Sequence, residues 1–508
     1  MQKINVIDYL KATVEKYPNK KAITDKNGTI TFNELYNQAV ALANVIIKQT
    51  NYVHNKPIAV LMPKCKECII VFMAIVMSGN FYCPIDTKMP DNRKQKIIDS
   101  LKPALVVRND NKSLVEYECS DLFYDVVLQG NDLTDDNLVK QQLSKILSID
   151  PLYVLFTSGS TGIPKGVVVS HAAVIDFVQW TQETFRFSSS NVLANQAPFY
   201  FDNSVLDIYN MVLGGSSLVI LDEALFLFPE QLFECLCANN VDTIFWAPSA
   251  LISVGRIFSN ECRINLPSLK NILYAGEVMA VKHISLWMNM FEDALFANLY
   301  GPTEATDICI YYKFDRTFDS EEVIPIGKPC RNMEIIIYDE EKQCVSANNE
   351  IGEILVRGIG LSKGYYKDMA KTNTAFIQNP LHNDYIDLVY KTGDLGKICD
   401  DGNIIYVGRK DNQVKIQGYR IELGEIEHVA TCIDGVSKAC AIATEDQKLV
   451  LLVETSSNKI TQKGIYQYLK NNLPKYMLPA EIIIWDGEFP LNQNGKIDRV
   501  RLKYNINN

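Results

Sequence analysis

The chain has no apolar stretch long enough to cross a membrane. Its longest, IIVFMAIVM at 69–77, holds nine residues, against the roughly 20 that a bilayer needs. The opening MQKINVIDYLKATVEKYP carries charges throughout and lacks the apolar core of a secretory leader. Positive charge is in deficit, with 50 Lys and Arg against 60 Asp and Glu and a net charge of −10. That balance argues against nucleic acid or an anionic membrane as the main partner. Paired metal motifs are missing too. The one C-x-x-C, Cys65 to Cys68, has neither a second such pair nor a histidine pair to complete a zinc site. Most of the 13 cysteines, such as Cys235, Cys309 and Cys440, sit singly in apolar runs, where a reduced thiol behaves as a small hydrophobe. No repeat and no low-complexity tract appears. These absences lead to the expectation of a soluble, cytoplasmic protein with reduced thiols, no nucleic-acid partner and no membrane insertion.

What is present is ordinary globular composition, 47% hydrophobic and 22% charged over 508 residues. Single cores stop growing near about 250–300 residues, so more than one domain is expected. Up to about Ala305, continuous apolar runs (PIAVLMP at 57–63, LYVLFT at 152–157, SLVIL at 217–221, NILYAG at 271–276) alternate with helical patterns. One of these patterns, at 32–49, follows a capping pair, Thr31 and Glu34. The alternation predicts an α/β fold with helix-covered, largely parallel sheets. From about Val323 to residue 408, short strands and glycine turns predict a small subdomain that is an antiparallel sheet or β-barrel-like. A compact α+β unit follows. The expected division is an N-terminal core at 1–410 and a C-terminal domain at 411–508, which the family resemblance described below implies is mobile.

TSGSTGIPKGV at 157–167 gathers glycines, hydroxyls and one lysine after a buried strand. Backbone N–H groups of such a loop can converge on anionic oxygens. It is not a Walker A loop, because Lys165 precedes glycine rather than Ser or Thr. Composition alone leaves a solvated turn as an alternative. The loop nevertheless resembles, almost residue for residue, the signature of the adenylate-forming superfamily, which includes acyl-CoA synthetases, nonribosomal peptide synthetase adenylation domains and D-alanine–carrier protein ligases. NLYGPTEAT at 298–306, YKTGDL at 390–395, GRKDNQVKIQGYRIELGEIE at 408–427 and NGKIDR at 494–499 extend that resemblance in order along the chain.

The resemblance implies a two-step reaction. A carboxylate joins the α-phosphate of ATP with release of pyrophosphate, and the acyl group then passes to a thiol. Lys496 takes the place of the family's catalytic lysine, bridging two mutually repelling anions, and Lys165 that of the lysine on the outer phosphates. The implied ATP site comprises Thr157, Ser158, Thr161, Asn298, Leu299, Tyr300, Gly301, Pro302, Thr303, Asp394, Tyr406, Arg409 and Lys496. Within it Asp394 accepts the ribose hydroxyls and Glu304 holds Mg²⁺. Asp411 is the implied hinge, and Gly418 in GYRIE lines the thiol's approach.

QAPFYFDNSVLDIY at 196–209 resembles the amino-acid-activating branches, with Asp202 placed to pair with the substrate's α-ammonium and Lys496 with its carboxylate. The wording is most like that of the D-alanine–carrier protein ligases, with two departures. Ala275 stands where those ligases carry cysteine, and Asp307 where they carry a small apolar residue. An aspartate among Phe245, Leu273 and Leu299 is costly without a partner, so a polar or cationic substrate side chain is expected. The chain ends shortly after NGKIDR, which leads to the expectation of a carrier protein whose phosphopantetheine is loaded in trans, and the resemblance implies a monomer. The alternatives are an acyl- or aryl-CoA synthetase acting on a non-amino acid, and a non-catalytic nucleotide-binding protein on the same fold.

Overall fold

The computed structural model describes residues 4–109, 115, 117–124, 135–159, 163–256, 266–444, 446–455, 460–491 and 497–507. Two large sheets organise the first three hundred residues. In the nine-stranded sheet, strands Lys21–Asp25, Ser217–Ile220, Val192–Asn195, Thr243–Trp246, Asn271–Ala275 and Leu295–Tyr300 run parallel side by side, with antiparallel strands at both edges. In the six-stranded sheet, Ser120–Phe123, Leu105–Arg108, Pro57–Leu61, Phe81–Pro84 and Pro151–Thr157 are parallel, and Lys165–Ser170 closes the edge antiparallel. Strands such as Pro57–Leu61 and Asn271–Ala275 are buried at every position. Both faces are covered, and their continuous apolar sequence follows from that.

The helix Phe32–Gln49 begins with the reciprocal cap read from the sequence. Glu34 N donates to Thr31 Oγ1 at 3.2 Å, and Thr31 N donates to Glu34 Oε2 at 2.7 Å. Such a cap contributes about 1 kcal/mol. The apolar run at 69–77 lies within the helix Lys66–Met77, in which nearly every side chain is buried. That helix packs on Phe32–Gln49, on Lys21–Asp25 of one sheet and on Pro57–Leu61 and Phe81–Pro84 of the other. A helix between two sheets has no polar face to keep, so it is apolar all round.

The expected sheet or barrel is an open sheet. Leu388–Ile398 pairs along most of its length with Gly352–Gly358, and also with Phe376–Gln378 along its first part and Ile404–Arg409 along its second. Among the described residues this six-stranded sheet branches and does not close on itself. Closure would serve to bury an apolar face, and that face is already buried. Ile337, Ile354, Val356 and Ile404 share one cluster with Tyr300, Ala305 and Ile310 of the larger unit.

The C-terminal part carries the hairpin Gln413–Ile416/Tyr419–Glu422, the helix Leu423–Thr431 and the three-stranded sheet Val436–Ala443, Leu449–Thr455, Glu481–Ile484. Its apolar clusters draw only on residues from Val414 onward. The core of this smaller domain is thus separate from those of the larger one.

Candidate active site

The glycine-rich loop is the tip of a hairpin. Thr157 faces Lys165 across the antiparallel pair Pro151–Thr157/Lys165–Ser170. Thr161 lies outside the described residues, as does Lys496. Thr157 Oγ1 is buried without a partner, and Ser158 Oγ donates to the carbonyl of Arg420 at 2.8 Å. Lys165 points from this loop to Glu304, with Nζ 3.3 Å from Oε1 and 4.8 Å from the centre of the Tyr365 ring.

Glu304 is 0% exposed. Its Oε1 accepts from the Tyr365 hydroxyl at 2.8 Å and its Oε2 from Arg420 Nη1 at 2.7 Å. Burial pushes its pKa up, but Arg420 and Lys165 outweigh burial and hold the carboxyl well below the usual range. The same surroundings lower Lys165, first through burial and then through Arg420, against the pull of Glu304.

A cavity of about 450 Å³ opens beside this cluster, lined among others by Glu277, Asn298, Tyr300, Tyr406, Arg409 and Lys415. Its volume falls within the roughly 300–1,000 Å³ of small-molecule sites. Tyr300 OH donates to Asp394 Oδ2 at 2.5 Å, and Arg409 Nη1 donates to Oδ1 at 2.6 Å. The other arms of Arg409 hold Asp411 at 2.6 and 2.7 Å. Gly301 turns the chain after strand Leu295–Tyr300, before Pro302 and the short turn Thr303–Ala305. A Cβ there would sit 2.2 Å from the carbonyl oxygen of Asp307, so only glycine fits.

Asp202 caps the helix Asn203–Gly214. Its Oδ1 accepts from Asn203 N at 3.0 Å and its Oδ2 from the Thr303 hydroxyl. Burial raises its pKa, while Thr303 and Lys415 pull it down. Asp307 is 2% exposed and its Oδ2 has no partner. Burial, then Asp202 and Asp207, push its pKa well up. Phe245, Leu273, Ala275 and Leu299 are buried in one cluster with Ile308. Ala275 also borders a second cavity of about 180 Å³, shared with Phe201, Asn203, Ala247, Gly418 and Tyr419. Gly418, at φ +79°, donates its N–H to Glu277 Oε1 at 2.5 Å, and a Cβ there would lie 3.2 Å from that of Ala247.

Of the residues singled out from the sequence, Asn298, Leu299, Tyr300, Tyr406, Arg409 and Asp411 line the larger cavity and Ala275 and Gly418 the smaller one, while Phe245 and Asp307 are buried. Arg420, Lys415, Glu277 and Tyr365 were not singled out. GYRIE and VKIQ were visible as motifs, but a basic residue in a short hairpin reads as solvated. Only docking of the hairpin against the larger domain buries it.

Residues 10–366 match the family model described as AMP-binding enzyme, and residues 425–496 the AMP-binding enzyme C-terminal domain. The chain belongs to the AMP-binding enzyme family. Among curated relatives, this AMP-binding enzyme is 32% identical to D-alanine–D-alanyl carrier protein ligase of Listeria monocytogenes over 99% of both chains. It is 31% identical to zwittermicin A synthase ZmaJ of Bacillus cereus, over 96% of this chain and 92% of that one. Solved structures share the fold. Adenylation domain AlmE of Vibrio cholerae, in complex with glycyl-adenosine-5′-phosphate, superposes with a TM-score of 0.83 at 20% identity, covering 100% of this chain and 98% of that one. o-Succinylbenzoate CoA synthetase of Bacillus subtilis does so with a TM-score of 0.84 at 19% identity, covering 99% and 98%. This AMP-binding enzyme is therefore an adenylate-forming, AMP-forming ligase of the nonribosomal peptide synthetase, D-alanine ligase and acyl-CoA synthetase type. No described helix is long and apolar enough to cross a membrane.

Proposed function

We propose that this enzyme adenylates an amino acid with ATP and passes the aminoacyl group to the phosphopantetheine thiol of a separate carrier protein. One observation carries the amino-acid reading: Asp202 sets a half-buried carboxylate next to Thr303 of the nucleotide motif. A carboxylate there is favourable beside an ammonium and costs desolvation beside an uncharged acid.

The chemistry must bring two anions together, so it needs cations and positioned donors. Lys165 and Arg409 are placed for phosphate and ribose, and Asn298 to Tyr300 with Tyr406 for the adenosine. Asp394, fixed by the donors Tyr300 and Arg409, would accept the sugar hydroxyls. Lys496 would enter the cleft when the smaller domain turns about Asp411. Glu304 is a hard oxygen donor held in its charged form. It fits Mg²⁺, which takes one or two carboxylates plus substrate phosphates, once Arg420 on the hairpin withdraws from Oε2. Magnesium bound there would neutralise phosphate charge. Transfer in trans to a carrier has the support of the carrier protein ligase relatives.

The substrate side chain follows from Asp307. A buried carboxylate oxygen without a donor is costly, and a second ammonium or another donor on the substrate would satisfy it. An amino-acid panel scored by ATP–pyrophosphate exchange tests the whole reading. Amino acids with a cationic or polar side chain should lead, and Asp307→Leu should shift preference from them to small apolar ones by about 10–100-fold. Dominance of D-alanine in the unmodified enzyme would refute the reading of Ala275 and Asp307. Activity with non-amino acids alone would favour the CoA synthetase alternative.

A further inference from the structure

Outside the cleft, one buried ion pair joins the two domains. Arg93, on the helix Asp91–Leu101 of the larger domain, donates through Nη1 to Glu425 Oε1 on the helix Leu423–Thr431 of the smaller one. Their side chains are 4% and 1% exposed. Arg93 also bonds Tyr476, whose ring stacks on Tyr419 at 4.0 Å and 18°. Tyr419 meets Phe201 edge-on at 5.0 Å, and Phe201 is the neighbour of Asp202. The adjoining Gly418 is the residue held by Glu277. A line of contacts therefore runs from Arg93 through the smaller domain to the amino-acid pocket.

A buried pair is a weak contributor to stability when intact, but removing one partner strands the other charge. Glu425 Oε2 and Arg93 Nε bond nothing, and the other partner of Arg93, Tyr476, is a hydroxyl that cannot balance its charge. In an orientation that separates the domains, both charges would return to water, where losing a partner costs little. The pair thus acts on one orientation and leaves the other almost untouched.

We propose that Arg93 and Glu425 are positioning residues that latch the smaller domain in the thiol-transfer orientation. This rests on the ligase reading above: Lys496 would enter for adenylation when the smaller domain turns about Asp411, and the orientation seen, with Gly418 of the thiol's approach docked on Glu277, is then the one for transfer. The test uses the full-length enzyme and its Arg93→Ala, Arg93→Lys and Glu425→Gln variants. ATP–pyrophosphate exchange should stay within about twofold, while single-turnover thioester formation on free pantetheine falls at least about 100-fold in Arg93→Ala and Glu425→Gln. Arg93→Lys, which keeps the charge, should recover part of the loss. Amide hydrogen exchange over 413–422 should quicken in step with the lost transfer. Equal losses in both half-reactions, or hairpin amides as protected as in the unmodified enzyme, would overturn the latch. Absence of pyrophosphate exchange with every acid in the unmodified enzyme would sink the ligase reading instead, and the hairpin amides alone would then decide the latch.

Discussion

Lys496→Ala is expected to lower adenylate formation about a thousandfold, with ATP affinity little changed. The reason is electrostatic. The substrate carboxylate and the α-phosphate repel each other, and a cation bridging them stabilises charge that shifts only as the new bond forms. Removing one preorganised donor from such a position costs roughly 10²–10³ in rate. On the proposed reading, nucleotide binding would draw on Lys165, Arg409, Asp394 and the walls of the 450 Å³ cavity, all of which the substitution leaves in place. In the orientation described, the hairpin 413–422 lines the cleft with Lys415 and sets Arg420 on Glu304, so a second result follows. Thiol transfer from a presynthesised aminoacyl adenylate should proceed at nearly the unmodified rate. Pyrophosphate exchange near normal in Lys496→Ala would remove this lysine from the mechanism, and a loss of transfer equal to the loss of adenylation would remove the division of labour.

Asp202→Asn is expected to reduce amino-acid-dependent pyrophosphate exchange by about 10²–10³ in kcat/KM, since a charged hydrogen-bonded pair is worth a few kcal/mol. Asparagine is the informative replacement. Asp202 also caps the helix Asn203–Gly214 by accepting from Asn203 N, and an asparagine side chain caps nearly as well. Its amide can accept the same bond but cannot balance an ammonium. Thermal stability should therefore hold while activation fails, and the deaminated acid should gain relative to the parent amino acid. Full activity in Asp202→Asn would show that the cap is the residue's whole purpose.

The parts of this molecule visible in its sequence are those set by neighbours along the chain. The helix Phe32–Gln49 has its cap written at Thr31 and Glu34, and the buried parallel strands show as unbroken apolar runs. Features set by distant contacts were hidden. The sheet built on Leu388–Ile398 has the short strands and glycines of a barrel, yet its apolar face is taken by Tyr300, Ala305 and Ile310, residues that no local pattern links to it. In the site, Glu304 and Asp394 stood out through their motifs. Arg420 did not, because its ionic partner lies 116 residues away, and Arg93 is paired across 332. A lone arginine in a polar segment looks solvated until another domain covers it.

The separation of the apolar clusters has a consequence for how the protein comes apart on heating. The C-terminal clusters share no member with the larger ones, and the junction described above is held largely by ion pairs, hydrogen bonds and the edge-on contact of Phe201 with Tyr419. Little buried hydrocarbon couples the two melts, so calorimetry should record two endotherms rather than one cooperative peak. The minor endotherm should belong to the C-terminal segment, and added nucleotide should shift chiefly the major one.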